Sequence, residues 1–316
     1  MEPVLRTYLL ALISSGVINN RQSMTDFFQR TFWAHQYHDF TKLELTLEKM
    51  IALLKEWKFI IVENKQAVPN EQSINKNTGE NDIYQSNNDN RSDLVFTPAN
   101  LLSKKQTRKI SPENSKKNIV KIHLRPTLMG KRISQLYLDP LTARHMLNCI
   151  AKYNPNSNQT SNSTETSTPK TTFSLLQMVS HTLEMRPLLT VKSREHDHIT
   201  EELNKKYGQL LEEEPNVYDP DYSEFMNSIK TALFFDEWIQ EKDEEYVLEK
   251  YDIKPGEIYA KTETVLWLIS SAAELANIEK RSSVARDLMK LHTRLEYGVK
   301  EELLELLKLK GIGRVR

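Results

Sequence analysis

A single cysteine, Cys149, stands among 316 residues, which excludes a disulfide framework and makes a cysteine-based zinc site unexpected. The compartment implied is a reducing one, the cytoplasm. No run approaches the roughly 20 apolar residues that a membrane span needs. The N-terminus lacks the basic, apolar, small-residue succession of a secretion signal, so "NQT" (158–160) and "NST" (162–164) read as chance occurrences of a glycosylation pattern. Charge of neither sign is in excess, with 43 Lys+Arg against 43 Asp+Glu, so no basic coat covers the whole chain. Catalytic patterns are missing too. "LMGKRI" holds a Gly130–Lys131 pair, but not the earlier glycine or the Ser/Thr of a phosphate loop, and no G-x-G-x-x-G occurs. The histidines of "HQYH" (35–38) and "HDH" (196–198) lack further ligands at metal-site spacing. With no nucleophile–base constellation either, the chain does not read as a complete enzyme, and no ATP-binding, cofactor or metal site is expected in it.

What is present is helix. Residues 3–16, 22–37 and 41–57 place Leu5, Leu9, Leu12, then Phe28 and Phe32, then Leu43, Leu47, Met50 and Leu54 at helical spacing. "KFIIVEN" (58–64) and "IVKIHL" (119–124) read as strands, separated by a polar stretch at about 65–118 that is too long for a compact loop and is expected to be a disordered insertion. Three helices, a strand, an excursion and a returning strand form a winged-helix pattern, and "TLMGKRISQLYLDP" (127–140) follows as a short helix and a turn. From Pro140 onward the pattern is that of a helical bundle, with helices at 141–153, 172–183, 193–213, 221–241, 243–251, 256–278 and 281–295. A low-complexity loop at 154–170 interrupts it.

Charge is uneven within the neutral total. Residues 104–132 hold ten Lys/Arg and one acid, suited either to a phosphate backbone or simply to keeping an insertion soluble; residues 212–252 hold fourteen Asp/Glu and three Lys, a solvated face or a surface for a basic partner.

The helix at 256–278 contains an anomaly. Ile258, Val265, Ile269, Ala272 and Ala276 make one apolar stripe, but Trp267 lies roughly 200° from Val265, among Glu263, Ser270, Ser271 and Glu274. Two readings fit: a helix packed on two sides with Trp267 in the core, or a flat platform on which a nucleobase stacks. At the end of the chain, "LLELLKLKGIGRVR" (303–316) reads as an apolar helix followed by Gly311 and Gly313 and then Arg314 and Arg316. This is the first half of a helix-hairpin-helix, in which glycines allow backbone N–H groups to approach a phosphate.

Together these segments resemble the C-terminal half of the archaeal Hjm-type DNA helicases, relatives of the Ski family in helicase superfamily 2. "EPVLRTYLLALISSG" (2–16) and "FFQRTFWAHQY" (27–37) resemble the opening of that family's winged-helix domain. "GKRISQLYLDPLTA" (130–143) resembles the junction into its helical domain. "LFFDEWIQEKDEEYVLEKYDIKPGEI" (233–258) resembles the approach to its long central helix, and "YGVKEELLELLKLKGIGRVR" (297–316) the start of its helix-hairpin-helix. The resemblance spans nearly the whole chain outside the two insertions.

The resemblance implies a mainly α fold: a winged-helix domain with a small β wing over 1–139, a helical ratchet domain over 140–296, and the first helix and hairpin of a truncated helix-hairpin-helix over 297–316. It implies that two RecA-like motor domains, absent here, bind ATP and magnesium and move 3′→5′ along DNA, while the ratchet helix stacks a tryptophan, matched by Trp267, on a base of the enclosed strand. The family often carries a basic residue seven positions before that tryptophan; here Ala260 stands there, flanked by Tyr259 and Lys261. The residues expected to meet DNA are Trp267, Lys261, Tyr259, Lys131, Arg132, Lys310, Gly311, Gly313, Arg314 and Arg316. The expected function is single-stranded-DNA binding, as the accessory half of a helicase acting on single-stranded or forked DNA in replication-fork repair and recombination. The rival expectation is a protein–protein scaffold, or a stand-alone winged-helix module, with no helicase role.

Overall fold

In a computed structural model the described residues are 2–31, 40–65, 121–153 and 171–309. Helices α1 (Glu2–Ser14), α2 (Arg21–Gln29) and α3 (Phe40–Glu56) precede strands β1 (Ile60–Lys65) and β2 (Lys121–Pro126), which pair antiparallel. Asn20 adds an antiparallel bridge to His123 on β2. The periodic residues largely do what their spacing predicts: Leu5, Leu9, Phe28, Leu43, Leu47, Met50 and Leu54 are buried, and Leu12 is half-buried against the same core. Phe32, the 65–118 stretch apart from Lys65, and the loop at 154–170 lie outside the described residues.

Helix α4 (Leu128–Gln135) docks on the end of the turn before β1. Thr127 caps it, accepting from the Gly130 N–H at 3.0 Å, while the Thr127 N–H donates to the Phe59 carbonyl at 2.9 Å. Gly130 passes so close that a Cβ there would lie 1.9 Å from the Phe59 carbonyl oxygen. The glycine that fails as part of a phosphate loop is therefore a packing glycine.

The bundle follows: α5 (Pro140–Lys152), α6 (Thr172–Ser180), α7 (His196–Lys206), α8 (Tyr222–Trp238), α9 (Glu244–Tyr251), α10 (Pro255–Ile278) and α11 (Ser282–Tyr297). Helix α6 is buried from Phe173 through Ser180 and packs on α8, itself buried from Phe225 to Phe235 apart from Asn227. A helix enclosed on every side is the centre of a bundle rather than a surface element. The described residues up to Glu63 and from Ile122 onward make one compact unit.

At the junction between α1 and the bundle, Arg6 forms a bidentate pair with Asp139, Nε to Oδ1 at 2.8 Å and Nη2 to Oδ2 at 2.9 Å, with both residues buried. Asp139 also caps α5 by accepting from the Leu141 N–H, and its own N–H donates to Glu184.

Two predicted elements differ. The single helix expected at 193–213 is a 3-10 turn (Ser193–Glu195), α7 and a second 3-10 turn (Tyr207–Gln209). Glu195 is drawn away to pair with buried Lys230 of α8 at 2.6 Å, and Gly208 weakens any continuation. The apolar helix expected from 303 is instead two 3-10 turns, Glu301–Leu303 and Leu306–Lys308. Leu306 and Leu309 remain exposed, and so short a segment is not held helical without burying an apolar face.

Candidate nucleic-acid interface

Helix α10 begins with Pro255 in its first turn and Glu257 accepting from the Lys254 N–H. Its apolar stripe, Ile258, Val265, Ile269, Ala272 and Ala276, is buried as the spacing predicts, and Leu268, Ala273 and Leu275 widen it. Ser271, grouped with the polar side by sequence, is buried as well, because a stripe this wide extends past it. One row runs along the helix without a buried residue: Ala260, Glu263, Trp267, Ser270, Glu274 and Asn277, of which Ser270 and Glu274 are half-buried; before Val265 most other positions are open as well. The residues of the row recur at three and four residues and so share one face.

Trp267 lies in that row and is 36% exposed. Among the described tryptophans Trp57 and Trp238 are more enclosed. Its indole N–H donates to the Leu136 carbonyl at 3.2 Å. Leu136 caps the C-terminus of α4, where the last carbonyls have no partner within the helix, so the bond satisfies an acceptor that helix geometry leaves open. The ring is thus anchored by its edge and partly open to solvent, unlike a core residue.

Arg132 of α4 pairs with Glu274 of α10, and its Nη1 also donates to Gln135 at 3.1 Å. Lys131 beside it is exposed, and with Leu128, Arg132 and Glu274 it lines a groove between α4 and α10. Tyr259, 70% exposed, stands two turns before Trp267, about 12 Å along the axis. Lys261 is turned aside: its ammonium donates to the Pro187 carbonyl, and burial holds its pKa below the usual lysine value. Five predicted residues therefore fall in the described structure. Trp267, Lys131 and Arg132 gather around α4 and α10, Tyr259 extends the helix surface, and Lys261 is engaged elsewhere. Lys310, Gly311, Gly313, Arg314 and Arg316 lie outside the described residues.

Sequence reasoning missed a second cluster. His145 and Cys149, one turn apart on α5, meet His181 and Glu212 from more distant segments. Glu212 accepts from His145 Nδ1 at 2.8 Å and from His181 Nδ1 at 2.6 Å, and Gln177 donates to it as well. His145 Nε2 faces the Met178 carbonyl at 2.8 Å. Burial pushes the His145 imidazole down, but its contacts with Cys149 and Glu212 outweigh that and hold it up to about 11. Burial likewise opposes the Glu212 charge, and the two histidines overcome it, holding the carboxyl down to about 2. Ligand atoms of His145, Cys149 and Glu212 lie within 4.8 Å of one another, a set that could hold a cation. The Glu212 oxygens already accept from both imidazoles, however, so the carboxylate has partners within the protein. The His145–Cys149 spacing was the only part of this cluster visible in sequence.

Comparison with known proteins matches residues 173–298 to archaeal helicase domain 4. The whole chain is similar to proteins named ATP-dependent DNA helicase Hel308: 31% identical to that of Methanococcus vannielii, 28% to that of Methanocaldococcus jannaschii and 28% to that of Thermococcus kodakarensis. In each case all of this chain is covered, but it spans only 37%, 19% and 22% of the respective relatives.

Proposed function

Residues 173–298 belong to the archaeal helicase domain 4 family and the chain corresponds to the C-terminal part of archaeal superfamily 2 DNA helicases, and from that premise we propose that it grips single-stranded DNA, with α10 as the ratchet helix and Trp267 as the residue that stacks on a base. In this reading residues 1–139 are the winged-helix domain, 140–296 the ratchet domain, and 297–316, which form 3-10 turns at 301–308 in place of the expected first helix, lead toward a helix-hairpin-helix. ATP hydrolysis and 3′→5′ movement would be the work of RecA-like domains outside this sequence, and the setting would be repair and recombination at replication forks.

The observation that carries the proposal is the position of Trp267. It lies in a row that stays unburied where the rest of the helix, from Val265 onward, is mostly buried, and it is fixed through its N–H while part of the ring remains available. Stacking on an aromatic ring is tolerant of sequence, which suits a grip that must release and retake each base.

The test is a titration of labelled oligo-dT with the full chain, wild type and Trp267→Ala, beside their melting temperatures. Binding should weaken with rising salt, and the alanine variant should lose about 1–3 kcal/mol of affinity. No binding by the wild type, or a variant that binds equally well but melts far lower, would defeat this reading and favour a scaffold.

A further inference from the structure

The turn that receives the Trp267 N–H presents a second ring. Tyr137 follows Leu136, is 82% exposed and has φ +59°. It occupies the left-handed position of a helix C-terminal motif. The Tyr137 N–H donates to Ser134 O at 3.2 Å, and the Leu138 N–H donates to Ile133 O at 3.3 Å, with Leu138 and Ile133 both buried. Glycine normally fills this position, because a Cβ is disfavoured there. Gly298 does so after α11. Among the other residues at positive φ, Lys58 and Lys280 carry exposed ammonium groups, Asp252 pairs with Lys192, and Glu241 accepts from the Lys300 N–H. Tyr137 instead holds an aromatic ring in a disfavoured conformation and leaves most of it in solvent. The fold gains little from that ring, and a local rule broken without compensation in packing marks a functional position.

The neighbourhood indicates a ligand. Leu136 and Tyr137 are consecutive, so the anchor point of one exposed ring and the Cα of the other are a single residue apart. Lys131, exposed on the same short helix, supplies a positive charge, while Glu274 across the groove is neutralised by Arg132. Two open rings with a cation beside them suit a strand that alternates flat bases with phosphates. We propose that Tyr137 is a second base-stacking residue, contributed by the end of α4, which works with Trp267 on the same single strand. This rests on the single-strand reading of α10.

The experiment uses the full chain and labelled oligo-dT at fixed salt, with Tyr137→Ala, Tyr137→Phe, Tyr137→Gly and Trp267→Ala. Tyr137→Ala should bind about tenfold more weakly. Tyr137→Phe should bind nearly as well as wild type, since stacking needs only the ring. Tyr137→Gly should bind as weakly as the alanine variant without melting lower than wild type, because glycine relieves the left-handed conformation. Wild-type affinity in Tyr137→Ala, with Trp267→Ala weakened, overturns this inference alone. A Tyr137→Phe variant as weak as alanine overturns stacking at this residue. No binding by the wild type, or full affinity in Trp267→Ala, removes the single-strand reading and this inference with it.

Discussion

Three residues apart in the α4–α5 connection, the chain makes two polar contacts of opposite character. At Asp139 a carboxylate meets Arg6 in a buried bidentate pair that also caps α5. At Leu136 a carbonyl meets the Trp267 indole N–H at the edge of solvent. The first contact has every partner inside the protein, and its strength depends on water being kept out. The second uses one edge of a ring and leaves part of the ring unspent. A contact closed on all sides holds the fold, whereas a contact closed on one side can both hold a side chain and offer it.

The sharpest way to test that contrast is to remove the closed contact. Asp139→Ala leaves the Arg6 guanidinium buried without its carboxylate and takes the cap from α5, and should cost about 3–5 kcal/mol of stability in denaturant titration. A loss below about 1 kcal/mol would show that the junction is solvated like an ordinary surface pair.

A second, largely enclosed contact, His145 with Glu212, should reveal itself through pH. His145 has a folded pKa above its ordinary 6.5, so its contribution is complete below 6.5 and is lost as pH rises toward about 11. Glu212 has a folded pKa below its ordinary 4.5, so its contribution is complete above 4.5 and is lost as pH falls toward about 2. The melting temperature should therefore be highest between these ordinary values and fall by about 4 °C or more between pH 6.5 and 9. In Glu212→Gln the alkaline fall should be much smaller; an unchanged profile would mean that the cluster does not set it.

The open contact should respond differently. Trp267→Ala should cost only about 1–2 kcal/mol of stability, well short of the about 3–5 kcal/mol expected for a core tryptophan. Smallest of all, Ala260→Arg places a cation in the open row one step before Glu263. Oligo-dT affinity should rise a few-fold, and the slope of log affinity against log salt should steepen by about 0.7. An unchanged slope would place the strand away from that end of α10.

The fold was legible wherever one periodicity decided it. The leucines of α3 and the stripe of α10 were read correctly because each faces a single core. The face of Trp267 was legible for the same reason, since a residue opposite the stripe has few places to go. Ser271 was misplaced because a wheel gives direction but not the width of the packed surface. The break at Glu195 and the His145–Glu212 cluster were not legible, because each depends on partners 31 to 67 residues away in sequence. Tyr137 escaped notice because its significance lies in a backbone angle, and residue type alone does not announce a left-handed tyrosine.

The approach of Gly130 to the Phe59 carbonyl has a consequence for how this surface can change over generations. A substitution at Gly130 would push two backbones apart, so drift at that position is closed to every residue bearing a Cβ. Its neighbour Lys131 points into water and can be exchanged at almost no cost to the fold. The lineage can thus retune the charge of the groove one side chain at a time while the helix that carries it stays locked in position, so the charge of this surface is evolvable and its geometry is not.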